Sequence, residues 1–236
     1  MACIREPAAG DGSSSEMRTL AQTDRQAWRS VRALLPAVAL LLMWSIPIAP
    51  AKDAAPPVRN LTQLISDAQL IVVAKVVRVT DGVNAQGVPY TEVTLDVAAC
   101  PKGGLAVRER PSFRQYGLVA ARRLPNGQVL DAVTPREYPR WNEGEQVIAF
   151  LQAPARSSGL QTTVGLKQGK FSLLDGRAVN DLGNRGLFAG VRVADALLDA
   201  RERAMLDSRG PVDAAIFVGL VNRAVRGNWI ATGQLR

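Results

Sequence analysis

Two ways of arranging apolar residues follow one another early in the chain. Residues 69–80, QLIVVAKVVRVT, are dominated by β-branched side chains with Lys75 and Arg78 as the only charges, which predicts a strand. Residues 90–98, YTEVTLDVA, alternate strictly: Val93, Leu95 and Val97 share one face, Thr94 and Asp96 the other. Asp81-Gly82 and Asn84-Ala85-Gln86-Gly87 carry turn chemistry between the two runs, so a hairpin is predicted. Further strands are expected over residues 105–113, 118–123, 128–133, 145–151, 161–164 and 170–174. Pro125-Asn126-Gly127 supplies the clearest short turn. Before the first strand, Asn60-Leu61-Thr62-Gln63-Leu64-Ile65 reads as a short helix.

After Asn180 the period changes. Val193, Leu197, Ala200 and Ala204 are spaced by four, three and four, predicting a helix within residues 191–206. Pro211, Asp213 and Gly227 then bracket a second one. The expected fold is mainly β, a small oligomer-binding-like barrel or a sandwich with two C-terminal helices. The divisions read as an N-terminal extension and signal over 1–51, a leader with its short helix over 52–66, a β domain over 67–188, and a C-terminal helical appendage over 189–236.

The first division rests on the segment preceding all of this. Arg18, Arg25, Arg29 and Arg32 lead into an apolar stretch from Ala33 to Ala49, and Ala49-Pro50-Ala51 offers the small residues a signal peptidase accepts. Met17 is better placed than Met1 as the start of such a signal. Cleavage after Ala51 and export to the periplasm or beyond are the expectation. The alternative, an uncleaved anchor, is opposed by Pro36 and Pro47. No membrane span is expected after cleavage.

Composition then narrows the chemistry. The chain of 236 residues has no histidine, which excludes Ser–His–Asp and Cys–His catalysis, HExxH metal sites and histidine pH switching within it. Cys3 and Cys100 fall on opposite sides of the expected cleavage point, so the exported part keeps one thiol and no internal disulfide. No metal and no other cofactor is predicted. The formal charge is +8; five arginines and four acids lie before Lys52, leaving +7 on the remainder. Such a surface attracts anionic polymers.

Arg108, Arg110, Arg114, Arg122, Arg123, Arg136 and Arg140 form the densest basic stretch, with Phe113, Tyr116, Tyr138 and Trp141 interleaved. Gly165-Leu166-Lys167-Gln168-Gly169-Lys170-Phe171 has three residues between its glycines where a phosphate loop has four, and Phe where that loop has Ser or Thr. Its lysines still suit an anion. The candidate ligand-binding residues are therefore Arg108, Arg110, Arg114, Lys167 and Lys170, for an anion or anionic polymer. Export argues against nucleic acid as the client. No catalytic residue is assigned. The rival reading is a His-free hydrolase using carboxylates drawn from Glu109, Asp131, Glu137, Glu143 and Glu145, or a Ser–Lys pair such as Ser172 with Lys170.

The runs DAQLIVV (67–73), YTEVTLDV (90–97), GEQVIAFL (144–151) and GLKQGKF (165–171), in this order, resemble a group of exported bacterial domains that occur alone or beside matrixin-type peptidase domains. The strand order is similar to the oligomer-binding barrel of netrin-like modules and tissue metallopeptidase inhibitors. The favoured reading of the residues is a non-catalytic binding or protein-interaction module of the bacterial envelope, with an envelope protein or anionic polymer as partner, and the apolar faces of the C-terminal helices are expected to dock on the barrel or on a second copy of the chain. The resemblance itself implies a small barrel. It does not carry over inhibition, which in those inhibitors depends on an N-terminal cysteine where this chain has Lys52-Asp53; Ala74 also stands where glycine is expected.

Overall fold

The computed structural model describes residues 57–131 and 134–236; the expected signal, its cleavage site and Cys3 lie outside them. Helix α1 (Leu61–Asp67) starts at a reciprocal cap: the Asn60 side chain accepts from the Gln63 N–H and the Gln63 side chain accepts from the Asn60 N–H. Leu61, Leu64 and Ile65 form its buried face. Strands β1 (Leu70–Val83), β2 (Pro89–Lys102), β3 (Ser112–Tyr116), β4 (Arg122–Arg123), β5 (Val129–Leu130), β6 (Gln146–Leu151), β7 (Lys170–Leu174) and β8 (Arg177–Asn180) follow. Then come α2 (Ala200–Leu206), β9 (Val212–Asp213) and α3 (Ala214–Arg226).

Seven strands make one antiparallel sheet in the order β3-β2-β1-β6-β7-β8-β9, and β4 pairs only with β5. The fold is mainly β, as expected, but the sheet does not close into a barrel: β3 and β9 are its edges. The central strands have both faces covered. Val72, Ala74 and Val76 of β1 join Val147, Ala149 and Leu151 of β6 on one face, while Ile71, Ile148 and Phe150 point to the other. This double burial is why the sequence of β1 reads as a nearly unbroken apolar run.

On the first face the sheet curls. Register shifts at residues 71–74 and 76–78 of β1 against β2 bend the pair, as bulges do. Val93, Leu95 and Val97 of β2 and Phe113 of β3 consequently join the β6 residues in one cluster, with Trp141 set edge-on to Phe113 at 5.3 Å. Residues 161–164 reach toward the β3 edge: Thr163 bridges Leu151, and the Gln161 N–H donates to the Arg114 carbonyl at 2.7 Å. The second face is covered by α1 and α3. Phe217 of α3 meets Phe171 at 5.1 Å and Phe150 at 6.4 Å, and these two rings meet each other at 5.7 Å.

Several expectations are corrected. A turn closes between Ala106 and Glu109, with Arg108 at φ 69°; the Glu109 and Pro111 carbonyls still accept from the Val97 and Leu95 N–H groups of β2, but the regular strand begins only at Ser112. Pro125-Asn126-Gly127 does turn a hairpin, but it pairs only two residues on each side, since this exposed arm has no further strand to pack against. Residues 161–164 make one bridge instead of a strand. Residues 191–206 are not one helix: Val193 bridges Leu235, Asp195–Leu197 is a 3-10 turn, and α2 starts where Asp199 and Glu202 cap reciprocally. The C-terminal segment is no appendage either, because β9 extends the main sheet through the Val212–Ala178 pair and α3 fills its core.

Candidate functional site

Alternation along β7 sends Phe171 to the helical face and places Lys170 and Ser172 together on the opposite one, beside Trp141. The Lys170 ammonium is 5% exposed and donates to Glu145 Oε1 at 2.6 Å; the Ser172 hydroxyl donates to the same oxygen at 2.5 Å. Lys170 also lies 5.4 Å from the Trp141 ring centre, within cation–π range. A Ser–Lys dyad requires the serine hydroxyl to donate to a neutral amine. Here amine and hydroxyl both donate to the same carboxylate, so the serine proton is directed at Glu145 and not at the amine.

The other candidates separate into committed and free. Arg114 donates to Glu92 at 2.7 Å and stacks 4.4 Å above the Tyr90 ring; Arg110 reaches Asp96 at 3.4 Å. Arg108 has no side-chain partner among the described residues. It lines a groove of about 400 Å³ together with Lys75, equally unpartnered, and with Val73, Val107 and Leu173. Asp96 also lines this groove, but Arg110 is its ion-pair partner. Lys167 is half-buried, and its backbone N–H donates to the Glu137 carbonyl at 3.1 Å.

The glycine-bracketed run 165–171 is a structural corner. Its Gln168 side chain accepts from the Arg59 N–H at 2.5 Å and donates to the Pro57 carbonyl, and its backbone carbonyl accepts from the Asn180 amide. That ties the chain before α1 to β7 and β8. Of the carboxylates of the rival reading, Glu109 accepts from the Ala106 N–H, Glu143 accepts from the Val79 N–H, and Glu145 is taken by Lys170 and Ser172. Among the described residues no three His, Cys, Asp or Glu side chains gather as a metal site. Cys100 is a half-buried free thiol with Sγ 3.1 Å from the Lys102 carbonyl.

Sequence reasoning overlooked Lys75, whose pairing with Arg108 depends on β1 lying beside the turn after β2. It also overlooked Asp81, which accepts from the N–H groups of Val119 and Ala120 at 2.9 and 3.1 Å and from the Arg122 guanidinium at 2.7 Å. Burial alone would raise this carboxyl's pKa, but the Arg122 bond and the two backbone bonds together hold it below its ordinary value. A carboxyl with a lowered folded pKa stabilises the fold above its unfolded pKa and loses that contribution as pH falls through the folded one. The melting-temperature gap between wild type and Asp81→Asn is therefore expected to be full at neutral pH and to close below about pH 4. A gap that widens in acid would refute this.

Comparison with family models, with curated proteins and with solved structures finds no match to this chain in any of the three. Among the described residues no helix is long and apolar enough to cross a membrane.

Proposed function

We propose that this chain is a non-catalytic binding module of the bacterial envelope, exported by its N-terminal signal, that holds an anionic polymer against the groove lined by Lys75 and Arg108. The observation that carries the reading is that two unpartnered cations line one concavity together with apolar groups, while Arg110, Arg114 and Lys170 are spent on carboxylates within the fold. Cations held by protein acids have little left for a ligand; Lys75 and Arg108 keep their charge for one. The coordination of Lys170 and Ser172 by Glu145 supports a binding role over the hydrolase. So does the curled sheet, which together with residues 161–164 we read as an incomplete barrel of the oligomer-binding type.

Retention on immobilised heparin, a generic polyanion, tests this. The exported chain is expected to bind at low salt and to be released by about 0.5 M salt, where screening reduces charge attraction to a few ångström. Lys75→Ala/Arg108→Ala should elute several-fold weaker in affinity than Arg201→Ala/Arg209→Ala, which removes the same charge elsewhere. Equal weakening by the two pairs would mean that only net charge is being sensed and would remove the groove from the account.

A further inference from the structure

The chain contains three tyrosines, 26 and 22 residues apart, and the fold brings them to one side of the sheet edge. Tyr90 and Tyr116 are direct partners across β2 and β3. Tyr116 and Tyr138 line one groove of about 340 Å³, at the lower end of the volumes typical of small-ligand sites. Its polar lining comes from Gln152, Ser158, Gln161 and Thr162, and no charged residue contributes to it. The tyrosine hydroxyls and the Gln152 amide have no hydrogen-bond partner among the described residues.

This groove is held open by the backbone around it. Tyr138 closes a turn onto the Pro135 carbonyl at 3.1 Å, and the carbonyls on its two sides are both engaged: Glu137 accepts from the Lys167 N–H at 3.1 Å and Pro139 from the buried Gln115 amide at 3.0 Å. The opposite wall is the hairpin-like excursion after β6, braced by the Gln152 N–H to the Thr162 carbonyl and the Ala155 N–H to the Leu160 carbonyl at 2.9 and 2.8 Å. The Gln161 N–H then fastens that wall to β3 at Arg114. A ligand entering here meets groups already in place, which removes much of the ordering cost of binding.

From these features we infer a second site, for an uncharged oligosaccharide. Sugar rings present apolar C–H faces, which suit phenol rings, and a rim of hydroxyls, which need donors and acceptors of the kind that glutamine amides, serine and threonine provide. The uncharged lining sets this site apart from the Lys75–Arg108 groove, so it neither depends on nor duplicates the polyanion reading.

Isothermal titration of the exported chain with three neutral tetrasaccharides, built from β-1,4-linked N-acetylglucosamine, β-1,4-glucose and α-1,4-glucose, tests the inference. At least one is expected to bind, and its affinity should be unchanged between low salt and about 0.5 M salt, since no ion pair is involved. Tyr138→Ala and Tyr116→Ala should each weaken it about ten-fold, the scale of losing one stacked aromatic. Tyr138→Trp, which keeps a ring, should preserve it, and Gln152→Ala, at an exposed position with no partner to lose, should weaken it several-fold without lowering the melting temperature. Absence of binding by all three sugars would overturn the site, as would binding that survives both tyrosine substitutions in folded protein or that disappears with salt. Lys75→Ala/Arg108→Ala should leave sugar binding intact, so failure of either site is seen separately.

Discussion

Phe217→Ala is expected to destabilise the protein by about 3–5 kcal/mol, the range for deleting a fully buried aromatic ring. Phe217 is completely buried between the α3 backbone and the rings of Phe150 and Phe171, at the point where helix and sheet meet. Its neighbours belong to β6 and β7, whose backbones are fixed on both sides by sheet pairing, so they cannot move far to fill the space left behind. A loss of that size is a large share of the ~5–15 kcal/mol that separates folded from unfolded states in ordinary domains. Denaturant unfolding followed by circular dichroism measures it as a reduced midpoint with little change in slope. A midpoint within error of wild type would show that α3 is a dispensable attachment.

Lys170→Met should be nearly as damaging, about 3–5 kcal/mol, because it leaves the largely buried Glu145 carboxylate just before β6 with its ammonium partner gone. Glu145 is 15% exposed and Lys170 5%, so water replaces the missing partner poorly. The informative comparison is with Lys170→Met/Glu145→Leu. Removing both charges is expected to recover most of the loss, since an apolar pair in that position contacts Trp141, Val147 and Ala149 without a desolvation cost. Ser172→Ala alone should cost about 1 kcal/mol, one hydrogen bond to a carboxylate that keeps its lysine. Additive losses in the double variant would show that Lys170 and Glu145 act independently and that their proximity is incidental.

The long strands were legible because their patterns are local. Residues 69–80, 90–98, 145–151 and 170–174 sit within β1, β2, β6 and β7 to within a few residues, and the Asn60–Gln63 start of α1 is visible in sequence. The strands that went unread are β8 and β9, RAVN and VD. Two to four mixed residues show no alternation, and what makes them strands is the neighbour waiting at the sheet edge. The periodic run from Val193 misled for the converse reason: Val193 is apolar because it pairs with Leu235 near the chain terminus, and its spacing to Leu197 is coincidence.

The site was less legible than the fold. Arg110, Arg114 and Lys170 look like free cations along the chain, yet their carboxylates lie 14, 22 and 25 residues away, and only strand register shows which ones meet. Lys75 passed as one charge interrupting an apolar run. Phe113, Tyr116, Tyr138 and Trp141 were grouped by proximity in sequence, whereas the fold buries the first and last and leaves the two tyrosines facing one groove.

The core beneath the helices gathers Leu61 and Leu235 into a single cluster, and the Leu61 N–H is bonded to the Leu187 carbonyl at 2.7 Å. Almost the whole described chain thus lies between residues that must meet. Ends so far apart along the chain make for slow folding, because the entropy of closing the loop is lost before the contacts form. While the ribosome is still at work, α1 has nowhere to put Leu61 and Leu64, and the central strands lack the cover that Phe217 provides. The fold's own topology therefore delays its completion until Phe217 and Leu235 have both been made, and until then the central strands present an uncovered apolar face.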